Sequence, residues 1–176
     1  MKKTSESFFR EVLICSFFIF SFLIISNYFY SFFRLGDDTF IYLQYARSII
    51  EHNEFAFNRG EPIFGFTSPL WLILLTITVK ITDSYLTAPH LLTLLFSVLT
   101  IIVWFIILKK IPLNKVTRYL ILLMVTIDPN LLKHSYLGME ASASLFLSSL
   151  VILMLLNDEK NTSRLCSLFY LGSISF

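Results

Sequence analysis

The sequence predicts an all-α, polytopic membrane bundle with an amphipathic helix along the membrane surface, in the first outer loop. Three observations carry that prediction. Hydrophobic residues make up 56% of the 176 residues and charged ones 15%, against about a quarter charged in a typical soluble domain. Segments 12–33 and 91–108 carry no charge at all, and a spanning helix needs roughly 20 predominantly apolar residues. The charges that exist are sorted. The run 109–118, KKIPLNKVTR, is basic without an acid, whereas 34–66 holds more acids than bases.

The elements follow in order. Segment 12–33, VLICSFFIFSFLIISNYFYSFF, is longer than the roughly 7–15-residue apolar core of a signal peptide and lacks its small-residue cleavage site. It reads as an anchor helix. An outer loop with juxtamembrane helices follows over 34–90. Within it, 38–52 is amphipathic: Ile41, Tyr45 and Ile49 form one stripe, and Gln44, Arg47 and Glu51 another. Such a helix lies with its apolar stripe in the headgroup region. The stretch NRGEPIFGFTSPLW supplies turn residues.

Segment 69–81, PLWLILLTITVKI, is short for a span and ends near Lys80. Cytoplasmic loops are rich in Lys and Arg. Lys2, Lys3 and Arg10 therefore place the N-terminus inside, and 109–118 belongs inside too. A full crossing by 69–81 would put 109–118 outside, so this segment is expected at the interface or as a re-entrant piece. Further spans are expected over 91–108, 119–137 (interrupted at Asp128-Pro129) and 140–156, with the start of another at 165–176. The whole reads as a single membrane domain of a multi-pass plasma (inner) membrane protein. Its N-terminus is cytoplasmic, and its two acidic regions share the outer face.

Several classes are excluded. The net charge of +2, without a basic stripe, argues against nucleic acid as a partner. Cys15 and Cys166 both lie in apolar runs, unlike a disulfide framework. No His/Cys spacing suits zinc, and no G-x-G-x-x-G or Walker loop is present.

Asp37 and Asp38, in RLGDDTF, head the residues that can carry chemistry. One acid at a helix start serves as an N-cap and suits the helix dipole; the second calls for another reason. Glu140, in HSYLGMEASASLFL, stands at the mouth of a later span, where it is either a water-facing cap or functional. Lys133, His134, Arg47 and Arg59 are cations on the same expected face, able to hold a phosphate or another substrate group. Lys80 and Asp128 suggest an ion path less strongly than they suggest interfacial anchors. Acid pairs such as Asp37 and Asp38, with Glu140, offer oxygen ligands to a divalent cation, but the sequence does not fix a metal.

GDDTFIYLQYARSIIEHNEFAFNRGEPIFGFTSPLWLILL resembles the first outer loop of the GT-C superfamily of polytopic glycosyltransferases, in its bacterial arabinofuranosyltransferase-like branch. The shared run is paired acids, an aromatic-rich helix ending in Tyr-Ala-Arg, an Asn-x-Gly-Glu turn, then Gly-aromatic-Thr-Ser-Pro-Leu-Trp. LGMEASASLFL resembles the second motif of that group. The resemblance covers 35–75 and, less closely, 128–147. Phe64 departs from the pattern, standing where many relatives place a polar or acidic residue.

The resemblance implies a GT-C-like fold and a sugar donor on a polyprenyl phosphate. The acceptor would be an extracytoplasmic glycan, lipid or protein. Asp37 or Asp38 would be the catalytic base, and a cation would hold the departing phosphate. It also implies a longer protein of which this is the N-terminal part. The alternatives are a non-catalytic remnant or interaction protein, favoured by the short length, and a transporter.

Overall fold

The computed structural model describes residues 2–32, 35–61, 63 and 65–157, with side chains in the first helix from Phe9 to Ser31. Cys166 and the apolar stretch 165–176 lie outside the described residues, as do Arg34 and Phe64. Seven helices and no strand occur among the described residues: α1 (Lys2–Phe32), α2 (Asp37–His52), α3 (Pro69–Thr82), α4 (Thr87–Lys110), α5 (Lys115–Thr126), α6 (Pro129–Tyr136) and α7 (Ala141–Asn157).

The stretches Phe9–Ser31 of α1 and Thr87–Lys110, which is α4, are long and apolar enough to cross a membrane. They run antiparallel, with a contact near each end. Lys109 Nζ pairs with Glu11 Oε2 at 2.6 Å. Some nineteen residues further along both helices, Tyr30 stacks on His90 with ring centroids 3.7 Å apart. Nineteen residues of helix span about 28 Å at 1.5 Å per residue, close to the roughly 30 Å of a bilayer's hydrocarbon core. One end of this pair is basic, carrying Lys109, Lys110, Lys115 and Arg118. The other end carries both acidic motifs.

α3 and α7 are apolar but shorter. At 14 residues, α3 measures about 21 Å, less than a bilayer core. Its Leu70, Ile73, Ile77 and Ile81 form an exposed stripe, while Trp71, Leu72, Leu75 and Val79 pack into a core with Tyr42, Tyr45 and Ala46 of α2 and Leu92 of α4. A second core joins α1, α4, α5 and α6 through Phe22, Ile101, Leu122 and Leu131.

Small hydroxyl residues line the packed faces of α4 and α7. Thr93, Ser97, Thr100, Ser142 and Ser149 are all buried. Ser97, Thr100 and Ser149 each donate to the carbonyl one turn back, which satisfies them inside their own helix. Small side chains so satisfied allow close helix approach, as at membrane helix interfaces. Thr93 Oγ1 also reaches Ser135 O at 2.8 Å, and Ser26 and Ser135 bond through their hydroxyls at 2.6 Å. These bonds tie α1, α4 and α6 together.

Two sequence expectations change in detail. The span expected over 119–137 is two helices rather than one. α5 ends at Thr126, and α6 restarts at Pro129. Proline has no N–H to continue the ladder, and Asp128 Oδ1 accepts from the N–H groups of Asn130 and Leu131, both at 2.9 Å. The second change concerns α2. Of the expected stripe, Tyr45 is buried and Ile49 packs against the core, whereas Ile41 is 37% exposed, and Thr39, Tyr42 and Ala46 complete the buried face. The rings of this face pack on the apolar side of α3, while its hydroxyls find polar partners at the rim, Thr39 at Leu137 O, Tyr42 at Thr67 and Tyr45 at Ile63 O.

Candidate functional site

Three stretches remote in sequence meet at the acidic end. The first contact is backbone. Gly36 N donates to Leu137 O at 2.9 Å, and Thr39 Oγ1 donates to the same oxygen at 2.6 Å. Both lone pairs of that carbonyl are thereby used. Asp37 follows the junction by one residue on its strand of chain, and Glu140 by three on the other.

Gly138 makes this junction possible. Its φ of +79° lies in the left-handed region, and a Cβ there would come within 2.8 Å of Thr39 Cγ2, 2.9 Å of Pro89 Cβ and 3.0 Å of Leu35 Cδ2. Glycine is needed for both its backbone conformation and its lack of a side chain.

The second contact is a chain of hydrogen bonds. Ser68 N donates to Tyr42 Oη at 3.1 Å, and Tyr42 Oη lies 3.0 Å from Thr67 Oγ1. Thr67 Oγ1 donates to Glu140 Oε1 at 3.3 Å. A threonine hydroxyl has a single proton, so with that proton on Glu140 the bond to Tyr42 runs from tyrosine to threonine. Tyr45 pins the same loop: its hydroxyl donates to Ile63 O at 2.5 Å and accepts from Gly65 N at 2.7 Å. The loop GFTSP is thus held by two tyrosines one turn apart on α2.

Asp37 and Asp38 occupy the first turn of α2, both exposed. Neither is the N-cap, which is Gly36 and brings no side-chain bond. The acids suit the positive end of the helix dipole without capping it. Glu140 differs: it is half-buried, and its Oε2 is buried with no hydrogen-bond partner. His134 lines the same groove as Glu140, and its Nδ1 is likewise buried without a partner. Lys133, beside it, is exposed.

Arg47 and Arg59 are not brought to this junction. Arg47 lies ten residues beyond Asp37 on α2, about 15 Å along the axis, and pairs with Glu51 at 2.9 Å. Arg59 shares a separate pocket of about 140 Å³ with Arg47, Ser48 and Glu51. Among the described residues no group of three or more His, Cys, Asp or Glu side chains is arranged to hold a metal ion; Asp37, Asp38 and Glu140 do not form such a set.

Tyr42 and Thr67 are the site residues that sequence reasoning passed over. Their signal was present, in the aromatic-rich helix and the Thr-Ser-Pro turn, but nothing local links either to Glu140, which lies 73 residues beyond Thr67. No known protein family, no curated protein and no solved structure matches this chain.

Proposed function

We propose that this chain carries the active site of an integral-membrane glycosyltransferase. It would move a sugar from a polyprenyl-phosphate donor to an extracytoplasmic acceptor. The observation that supports this reading most is the meeting of Gly36–Thr39, Thr67–Pro69 and Leu137–Glu140 at the end of the bundle opposite the basic run 109–118. In a membrane, the basic end faces the cytoplasm, and the acidic junction faces out. A lipid-linked donor presents its anomeric carbon at that outer surface.

The chemistry is a displacement. The acceptor hydroxyl attacks the anomeric carbon, its proton passes to Asp37 or Asp38, and the bond from carbon to the phosphate oxygen breaks. The lipid phosphate leaves with that electron pair. A positioned general base contributes roughly 10²–10⁴-fold. Asp37 and Asp38 are water-accessible and able to release the proton afterwards. Lys133 is the exposed cation on the α6 side of the junction, suited to the charge developing on the phosphate. Arg47 and Arg59, at the far end of α2, fall outside this role.

Two experiments test the reading. Membranes holding the chain are supplied with radiolabelled sugars on polyprenyl phosphate. Label moving to an endogenous acceptor supports transfer, and its absence with every donor overturns it. Orientation is tested by labelling single introduced cysteines in intact cells with an impermeant reagent. Arg59→Cys is expected to label and Asn114→Cys to stay protected; the reverse pattern sinks the arrangement.

A further inference from the structure

The groove beside Glu140 is edged by a buried carboxyl oxygen that has no hydrogen-bond partner. Its mouth, of about 590 Å³, is bordered by Asn130, His134, Met139, Glu140 and Ser144. Leu145 and Ser148 line this mouth and also a second cavity of about 500 Å³, whose walls include Trp104, Met124, Val125 and Ile152. The two grooves adjoin at Leu145 and Ser148 of α7: the first lies against α6, and the second runs on between α7 and the α4–α5 pair. Both volumes fall in the roughly 300–1,000 Å³ range of small-molecule sites.

Most polar groups along these grooves are already satisfied. Thr100, Ser144 and Ser149 donate to carbonyls of their own helices. Asp128 Oδ1 is taken by the first turn of α6. Glu140 Oε2 and His134 Nδ1 are the two polar atoms along them that are both buried and unbonded. A buried acceptor without a donor costs about 1–3 kcal/mol, more when charged. The other oxygen, Oε1, is fixed by the chain from Ser68 N through Tyr42 and Thr67. Glu140 is therefore a carboxylate held from one side, with its second oxygen needing a donor from the other.

We infer that these adjoining grooves bind an amphiphile with an uncharged, hydroxyl-rich head and an apolar chain. One head hydroxyl donates to Glu140 Oε2, and the chain lies along Leu145, Trp104 and Ile152. An anionic head is disfavoured, because a phosphate oxygen beside Oε2 adds a second negative charge where a donor is required. Naming this ligand as the acceptor rests on the proposed transfer; the binding itself does not.

Trp104 is a built-in reporter, since the protein has only two tryptophans and Trp71 is buried in the other core. The full chain in phosphatidylcholine nanodiscs is titrated with 12-bromododecyl glucoside and, separately, with 12-bromododecyl phosphate. The glucoside is expected to quench fluorescence saturably, with quenching lost in Trp104→Phe, and the phosphate to bind at least about tenfold more weakly. Glu140→Gln is expected to weaken glucoside binding about tenfold, as loss of a charged acceptor implies, and to narrow the gap between the probes. Equal or tighter binding of the phosphate to the wild-type chain overturns the inference, and this comparison needs no variant to fold. So does saturable quenching by neither probe, or unchanged glucoside binding in a folded Glu140→Gln. Saturable glucoside binding without sugar transfer sinks the enzyme reading alone; transfer without such binding sinks the inference alone.

Discussion

The two acidic motifs meet at one junction but are held in opposite ways. Asp37 and Asp38 are exposed on the first turn of α2 and make no cap bond. Glu140 is half-buried, one oxygen bonded through Thr67 and Tyr42, the other buried without a donor. The difference separates two kinds of work. Exposed acids at a helix start are open to water and to an incoming hydroxyl. A carboxylate locked by a bond chain offers a fixed direction to whatever it binds. An acceptor held at Glu140 and a proton taken at Asp37 or Asp38 would use each carboxylate for what its surroundings allow.

The sharpest way to break that division is at the exposed pair. In a transfer assay, Asp37→Asn or Asp38→Asn is expected to lower the rate at least about 10²-fold, the lower range for loss of a general base. Folding should hardly change, because Gly36 is the N-cap and a surface charge near a helix end is worth roughly 0.3–1 kcal/mol. Asp37 is expected to be the more sensitive, lying nearer the junction. Near wild-type transfer in both variants, at normal expression, would leave the acids with a dipole role only.

The next largest effect belongs to the junction itself. Gly138→Ala puts a Cβ within 3.0 Å of Thr39, Pro89 and Leu35. A non-glycine residue in the left-handed region costs roughly 1–2 kcal/mol, and crowding a packed site adds about 1–3 kcal/mol. Thermal unfolding in detergent should show a clear fall in midpoint. Faster proteolysis between α6 and α7 should accompany it. An unshifted midpoint would mean that the three stretches do not depend on this approach.

A smaller effect sharpens the contrast from the Glu140 side. Thr67→Val keeps the shape of the side chain and removes the hydroxyl that links Tyr42 to Glu140. A bond to a charged acceptor is worth about 1.5–3 kcal/mol at most, and this one is long at 3.3 Å, so the lower end applies. If Glu140 orients a ligand, KM should rise several-fold with kcat little changed. Tyr42→Phe should act in the same direction. A fall in kcat alone would put Glu140 in the proton transfer.

The sequence made the long elements legible for a direct reason. An uncharged run such as 91–108 has one comfortable environment, and α4 follows it from Thr87 to Lys110. The break at Asp128-Pro129 was visible as an interruption, but a cap and a missing N–H decided that it separates two helices. The inward face of α2 was legible only in part. Tyr45 and Ile49 of the expected stripe do pack inward, but Ile41 does not, and Thr39 and Tyr42 join them because Leu137 O and Thr67 are there to bond them. Those partners lie 98 and 25 residues away, beyond any local pattern. Asp37, Asp38 and Glu140 stood out as acids in an apolar chain; that one would be exposed and the other bonded depended on the packing.

The smallest expected effect is the control that gives Gly138 its meaning. Gly36 lies across the junction and donates the bond to Leu137 O. Its φ of −65° is open to any residue, and an added Cβ would meet Leu137 O at 3.5 Å and Met139 Sδ at 3.6 Å, ordinary contact distances. Its N–H survives substitution by alanine, so the bond to Leu137 O remains available. What is lost is a better N-cap: glycine caps helices more favourably than alanine, and cap changes of this kind cost about 1 kcal/mol or less. Gly36→Ala should therefore shift the unfolding midpoint by a small fraction of the Gly138→Ala shift. Comparable losses at the two positions would show that the junction tolerates no added volume on either side, and the left-handed turn at Gly138 would then not be what distinguishes them.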